Sequence, residues 1–335
     1  MSDSDHLYSA IDLCAGVGGQ ALGLETAGFD LSAVVDIDPD SCSTMAHNRP
    51  HWNVIEGDIG EIDPAEHATL DRADLLACGM PRSPYTIAGH QRATADKRDT
   101  LRAALDMASY VRPRAVLLEN IPGFMRSARF EGERRLMEDE LSHLGYDFTW
   151  RVLDSPKFGV PQQRSHGFVV AMQADDLANF DWPTPTDVTP SSLGETLRES
   201  MRARGWPEAD AWADRATGLA PLVVGGATGR GGADLGPSRS KTLWARSGVY
   251  GGSIGDAVPG PDFRMNLDVE PRFGLPRVTV EQVALIQGFT PDWKIHGRKT
   301  SAYRQISQAT PPAVAAAVAR QIITAFERTQ AVGPL

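Results

Sequence analysis

Residues 9–27 read SAIDLCAGVGGQALGLETA, and this stretch decides the architecture. Ser9 to Leu13 is a short apolar run with an acid, Asp12, near its end. A glycine-rich turn follows, Cys14-Ala15-Gly16-Val17-Gly18-Gly19, and Gln20 to Ala27 then reads as a helix. Strand, glycine turn and helix in succession bring a backbone close to a nucleotide-like ligand in doubly wound α/β sheets. Taken alone, such a turn serves equally well to pack a helix against a sheet.

The next strands narrow the choice. Leu31 to Val35 ends at Asp36-Ile37-Asp38, about 20 residues beyond the glycine turn, where a carboxylate can accept from both hydroxyls of a ribose. Asp36 would alternatively cap a helix starting near Asp40. Val54 to Ile59 places Asp58 just past a third strand, where it can accept from an exocyclic adenine amine. Acids or glycines at three successive strand ends suggest an adenosine-type pocket. The turn lacks the Gly-x-x-x-x-Gly-Lys-Ser/Thr pattern for polyphosphate, so S-adenosylmethionine fits better than ATP.

A fourth apolar run, Ala73 to Ala77, leads into Cys78-Gly79-Met80-Pro81-Arg82-Ser83-Pro84-Tyr85 and on to Gly89. Pro81 and Pro84 bracket Arg82 and stiffen the loop that displays it. The helical pattern of Arg98 to Tyr110 precedes the buried strand Ala115 to Leu118, which ends in Glu119-Asn120-Ile121-Pro122-Gly123. An acid and an amide there suit the polar edge of a heterocycle, and a buried Glu with a raised pKa can donate a proton to a ring nitrogen. An ordinary strand-to-loop junction is the plainer alternative. Glu131 to Leu144 has the composition of a solvated helix. Tyr146 to Leu153 and Gly167 to Met172 read as further strands bracketing Phe158 to His166. There, alternate polar residues either grip a phosphate or base or face solvent on an edge.

From Gln173 to about Phe273, Pro, Gly, Ser and Thr rise while Trp206, Trp212 and Trp244 persist, so a small irregular domain is expected rather than a linker. Residues 225–232 and 239–246 read as basic loops, and Arg230, Arg239, Lys241 and Arg246 are candidate DNA contacts or solvated surface charge. Thr279 to Gln287 and Pro311 to Thr329 read as helices. The boundaries predicted are 1–173 with 275–335 for the large domain and 174–274 for the insertion.

The formal charge of −10 leans mildly against nucleic acid, although phosphate binding needs only a local basic face. Three cysteines without metal-ligand spacing suggest a reducing cytoplasm and no zinc site. An acidic, polar start and the lack of a long apolar run suggest neither signal peptide nor membrane span.

As an ordered set from Ile11 to about Ala325, these segments resemble the DNA cytosine-5 methyltransferases. Asp12 to Gly19 is similar to that family's cofactor turn, with Cys14 where a Phe is usual. Asp36 with Ile37 and Asp58 with Ile59 match its ribose and adenine positions. Glu119-Asn120-Ile121 is similar to its Glu-Asn-Val, and Gln162 to His166 to its Gln-x-Arg-x-Arg, with Arg164 kept and His166 replacing the last arginine. Arg277 to Glu281 and Gln287-Gly288-Phe289 match the segment after the recognition domain. Tyr303 to Pro312 matches the C-terminal segment, with Ser307-Gln308 where Gly-Asn is usual.

The resemblance implies a Rossmann-like cofactor domain with an inserted target-recognition domain. It also implies S-adenosylmethionine as methyl donor, S-adenosylhomocysteine as product, and double-stranded DNA whose target cytosine is rotated into the site. Pro81 would touch cofactor and Gln308 would lie near it. The catalytic positions would be 82, Glu119, Asn120, Arg164 and His166. The family has Pro-Cys where this chain has Pro81-Arg82, so methyl transfer to cytosine carbon 5 is expected to be impaired. The alternatives are a non-catalytic DNA- and cofactor-binding relative or regulatory subunit, and altered chemistry without a thiolate.

Overall fold

The structure is a computed structural model that describes residues 8–81, 100–224, 232–266 and 274–332. Seven strands among these form one sheet: β1 (Tyr8–Leu13), β2 (Phe29–Asp36), β3 (Val54–Glu56), β4 (Leu75–Gly79), β5 (Ala115–Asn120), β6 (Asp147–Asp154) and β7 (Ser165–Met172). Their order is β3-β2-β1-β4-β5-β7-β6. β1 runs parallel to both β2 and β4, as do β2 to β3 and β4 to β5. β7 lies antiparallel against β5, pairing Asn120 with Gly167. This is the doubly wound, Rossmann-like α/β class that the sequence predicts.

Strand alternation assigns the two faces. Ile11, Leu13, Val35, Leu76, Cys78, Val116 and Leu118 share one cluster with Leu101, Leu105 and Met137. The last three come from the helices Thr100–Val111 and Glu131–His143. The helix Gly19–Ala27 packs instead against Pro312–Val332. Gly23 allows that close approach, because an added Cβ would sit 2.5 Å from the Ala315 Cβ and 2.7 Å from the Pro312 carbonyl oxygen. Gly23→Ala is therefore expected to cost about 1–3 kcal/mol through forced displacement of the helix pair, read as a lower midpoint in denaturant unfolding.

By compactness the chain divides into two units. The first holds the chain up to Leu153, Ser165–Thr184 and the segment from Pro312; the second holds Asp154–Arg164 and Pro185–Pro311. Residues 275–311 and 154–164, assigned from sequence to the cofactor domain, thus pack within the second unit. Buried amides explain this grouping. Gln162 Nε2 donates to Gln287 Oε1 at 2.5 Å, and Gln287 Nε2 donates to the Ile306 carbonyl at 2.8 Å. Trp206, Trp212 and Trp244 are all buried in this unit.

The second unit is also more regular than expected. Leu193–Arg202 starts at a capping box made by Ser192 and Glu195, and it packs on Ala209–Arg215. Residues read as a basic loop form the helix Ser238–Arg246 instead. Trp244 faces inward there and is fully buried, which anchors a segment of otherwise polar composition. No helix among the described residues is long and apolar enough to cross a membrane.

Candidate active site

The carboxyl ends of β1, β2, β4 and β5 carry the candidate residues of the first unit. At the end of β1 the backbone turns sharply: Cys14 and Gly16 adopt left-handed conformations with φ of 53° and 55°, and Gly18 has φ 83°. A Cβ on Gly16 would meet no heavy atom within 4 Å, so conformation rather than crowding favours glycine there. The Ala15 N–H donates to the Val35 carbonyl at 3.0 Å, which ties the turn to β2.

Asp36 completes this corner. Its Oδ2 accepts from the Gly16 N–H at 2.7 Å and its Oδ1 from the Asp38 N–H at 2.9 Å. The capping alternative is corrected: Asp38 caps the helix Pro39–Asn48 by accepting from the Asp40 N–H. Asp36 is thereby left as a carboxylate oriented by two backbone amides. Beside it, Ile37 is 63% exposed, unusual for a large aliphatic side chain and suited to one face of a planar ring. Asp58 is half-buried, with Oδ1 accepting from the Gly60 N–H at 2.9 Å, and Ile59 is buried.

Asp12 is fully buried, and Gln20 donates to its Oδ1 at 2.9 Å. Among the described residues its Oδ2 has no hydrogen-bond partner. Burial pushes its pKa from 3.8 up to about 8, against the lowering effect of the Gln20 and Ala21 hydrogen bonds. Gln20 was not singled out from sequence; its place in the first turn after the glycines is the signal that would have found it.

Between about pH 4 and pH 8 the unfolded chain releases the Asp12 proton while the folded chain keeps it, so stability falls as pH rises through that window. Asp12→Asn removes this dependence. Without cofactor, the variant is expected to gain a few kcal/mol on the parent as pH rises from 5 to 8.5, read from denaturation midpoints.

Cys78 lies fully buried at the end of β4, with its side chain hydrogen-bonded to Cys14. That contact, together with burial, pushes the Cys14 thiol up and disfavours a thiolate. The Met80 N–H donates to the Glu119 carbonyl at 3.1 Å, so exposed Pro81 leaves the sheet beside the end of β5. Arg82 lies outside the described residues, as does Arg230.

At the end of β5, Glu119 is 2% exposed and His166 on β7 is wholly buried. His166 Nδ1 lies 2.7 Å from Glu119 Oε1, the contact that fixes this carboxyl. Because β7 inserts antiparallel between β5 and β6, residues 47 apart meet on adjacent strands. Gly167 allows the approach, since a Cβ there would lie 3.2 Å from the Ile121 carbonyl oxygen. Asn120 Oδ1 accepts from the Ile121 N–H at 2.6 Å, and its buried Nδ2 has no hydrogen-bond partner among the described residues.

In the second unit, Gln162 and Arg164 are also buried, so the solvated-edge alternative for this segment does not hold. Arg164 Nη1 donates to the Ser307 carbonyl at 2.8 Å, near the end of the helix Lys299–Gln308, where Gln308 is half-buried. Lys241 Nζ pairs with Asp234 at 3.0 Å, whereas Arg239 and Arg246 are exposed.

Glycine turn, oriented carboxylate and exposed aliphatic side chain at consecutive strand ends belong to a fold of the nucleotide-cofactor-binding class and form its candidate site. The C-5 cytosine-specific DNA methylase family matches residues 8–324, and the chain belongs to that family. It is 41% identical over 320 residues to the Type II methyltransferase M.NaeI of Lentzea aerocolonigenes, covering 94% of this chain and 75% of the relative. It is 37% identical over 322 residues to the Type II methyltransferase M.NgoMIV of Neisseria gonorrhoeae, covering 96% and 99% respectively. The fold is shared with the Dnmt2 methyltransferase of S. pombe at a TM-score of 0.63 and 17% identity, over 96% of this chain and 99% of that one.

Members of this family use S-adenosylmethionine. The residues present fit it: Gly16 and Gly18 turn the backbone aside, Asp36 offers an oriented carboxylate, Ile37 an open aliphatic face, and Asp12 a buried carboxyl with one oxygen unengaged among the described residues.

Proposed function

We propose that this chain binds S-adenosylmethionine and double-stranded DNA as a cytosine-5 methyltransferase scaffold whose methyl transfer is impaired at position 82. The observation that carries this reading is the end of β4, where the Met80 N–H meets the Glu119 carbonyl, together with the sequence that continues from there as Pro81-Arg82 where the family has Pro-Cys. The bound cofactor supplies an electrophilic methyl group on sulfur. Asp36 and Asp58 hold its ribose and adenine, Ile37 covers the ring, and residues 12–19 shape the turn around it. Glu119 holds the ring nitrogen of a cytosine rotated out of the duplex, and His166 keeps its carboxyl in place. Asn120 Nδ2 is a spare donor at the same strand end.

Carbon 5 of cytosine is a poor nucleophile until a nucleophile adds at carbon 6. Arginine stays protonated at physiological pH and cannot supply that attack. Buried Cys78, hydrogen-bonded to Cys14, is poorly placed to replace it. Incubation with radiolabelled cofactor and mixed-sequence duplex DNA tests the reading. Retention of both ligands with little label in DNA is the expected result; robust transfer by the Arg82 chain would sink it.

A further inference from the structure

The helix Ser238–Arg246 lies in the second unit with one face exposed and one buried. Taking 100° per residue, Arg239, Thr242, Leu243 and Arg246 fall within roughly 100° of its circumference. All four are exposed, Leu243 to 45%. Trp244, on the opposite side, is fully buried. The backing is closely packed: the Val249 N–H donates to the Trp244 carbonyl at 2.9 Å, and a Cβ on Gly251 would lie 3.0 Å from the Lys241 Cα.

The charges on this helix divide in the same way. Lys241 is engaged by Asp234, which also accepts from the Gly236 N–H at 2.8 Å. Arg198 and Arg202 elsewhere in the unit pair with Asp210, and Arg198 also with Asp214. Arg239 and Arg246 take part in none of these pairs. Two guanidinium groups seven residues apart, about 10 Å along the axis, therefore flank an exposed leucine on a face without an acid. In a chain of net charge −10 such a face complements a polyanion.

We propose that this helix enters a groove of duplex DNA, with Leu243 against base edges and Arg239 and Arg246 on the backbone to either side. This rests on the DNA-methylase reading above and deepens it, because it assigns base discrimination to a helix face and excludes Lys241 from it. The major groove admits a helix, and an apolar side chain there distinguishes bases by the thymine methyl group. The phosphate contacts set register and carry the salt dependence.

The test uses the full chain and a duplex library with a randomised core, measuring affinity at several salt concentrations and sequencing the bound fraction. Arg239→Ala with Arg246→Ala is expected to weaken binding by about tenfold or more and to flatten the salt slope by about one per lost phosphate contact. Leu243→Ala is expected to keep the salt slope and relax the bound-sequence preference at one or two positions. Thermal melts of these exposed substitutions check that the fold is unchanged. If the parent binds duplex DNA and both variants match it in affinity, slope and sequence profile, the helix assignment is overturned while the family reading stands. If the parent has no affinity for duplex DNA at any salt, the helix assignment and the proposed DNA binding are both overturned.

Discussion

Arg82→Cys is expected to raise methyl transfer to duplex DNA on the order of a thousandfold or more, the scale on which removal of a covalent nucleophile is felt. A thiolate at position 82 would add to cytosine carbon 6 and make the ring an enamine that is nucleophilic at carbon 5. The strand ends around that position are fixed: Glu119 is held by His166 at 2.7 Å, and the last residue of β4, Gly79, pairs with Glu119. Arginine is also longer than cysteine and charged, so its removal is expected to favour entry of an extrahelical base. The readout is incorporation of label from the cofactor, with product identified as 5-methylcytosine. A variant that binds both ligands yet gains no activity on any duplex would show that the loop does not hold the nucleophile.

The second large effect concerns Glu119. In the Arg82→Cys chain, Glu119→Gln is expected to lower the rate constant for transfer by about 10²- to 10⁴-fold with a smaller change in cofactor affinity, because a positioned carboxyl that holds or protonates a ring nitrogen acts in the transition state. In the proposed function His166 acts through that carboxyl, which it contacts at 2.7 Å. His166→Ala removes the 2.7 Å contact inside a fully buried pair, so both rate and stability should fall, the latter by about 1–3 kcal/mol. His166→Arg keeps a donor facing Glu119 and is expected to recover part of the rate. If His166→Ala and His166→Arg lose rate equally while both remain folded, the positioning role fails.

The parts of the candidate site that could be read from sequence were those written locally. Asp36, Asp58 and Glu119 each close an apolar run, so the period of the strand and the acid at its end sit within ten residues of one another. The pairing of Glu119 with His166 was not legible, because it depends on β7 entering the sheet antiparallel between β5 and β6. The grouping of residues 154–164 with 275–311 was hidden for a similar reason, since Gln162 and Gln287 meet across 125 positions. Ser238–Arg246 was missed through composition: serines, arginines and a lysine resemble a loop until Trp244 is seen to be its buried anchor.

The packing of Pro312–Val332 against Gly19–Ala27 has a consequence for biosynthesis. The ring of Tyr8 on β1 packs tilted against that of Phe326, centroids 5.1 Å apart, and the guanidinium of Arg114, just before β5, lies 4.0 Å from the centroid of the same Phe326 ring. The first unit therefore needs this helix to complete its core, whereas every segment of the second unit, through Pro311, has by then been made. On a translating ribosome the glycine turn would emerge early and wait, with one flank of its helix uncovered, for some 290 residues of further synthesis. Cofactor binding is thus expected to follow synthesis of the C-terminal helix. Premature termination just before Pro312 would give a product with its second unit whole and its cofactor unit unclosed.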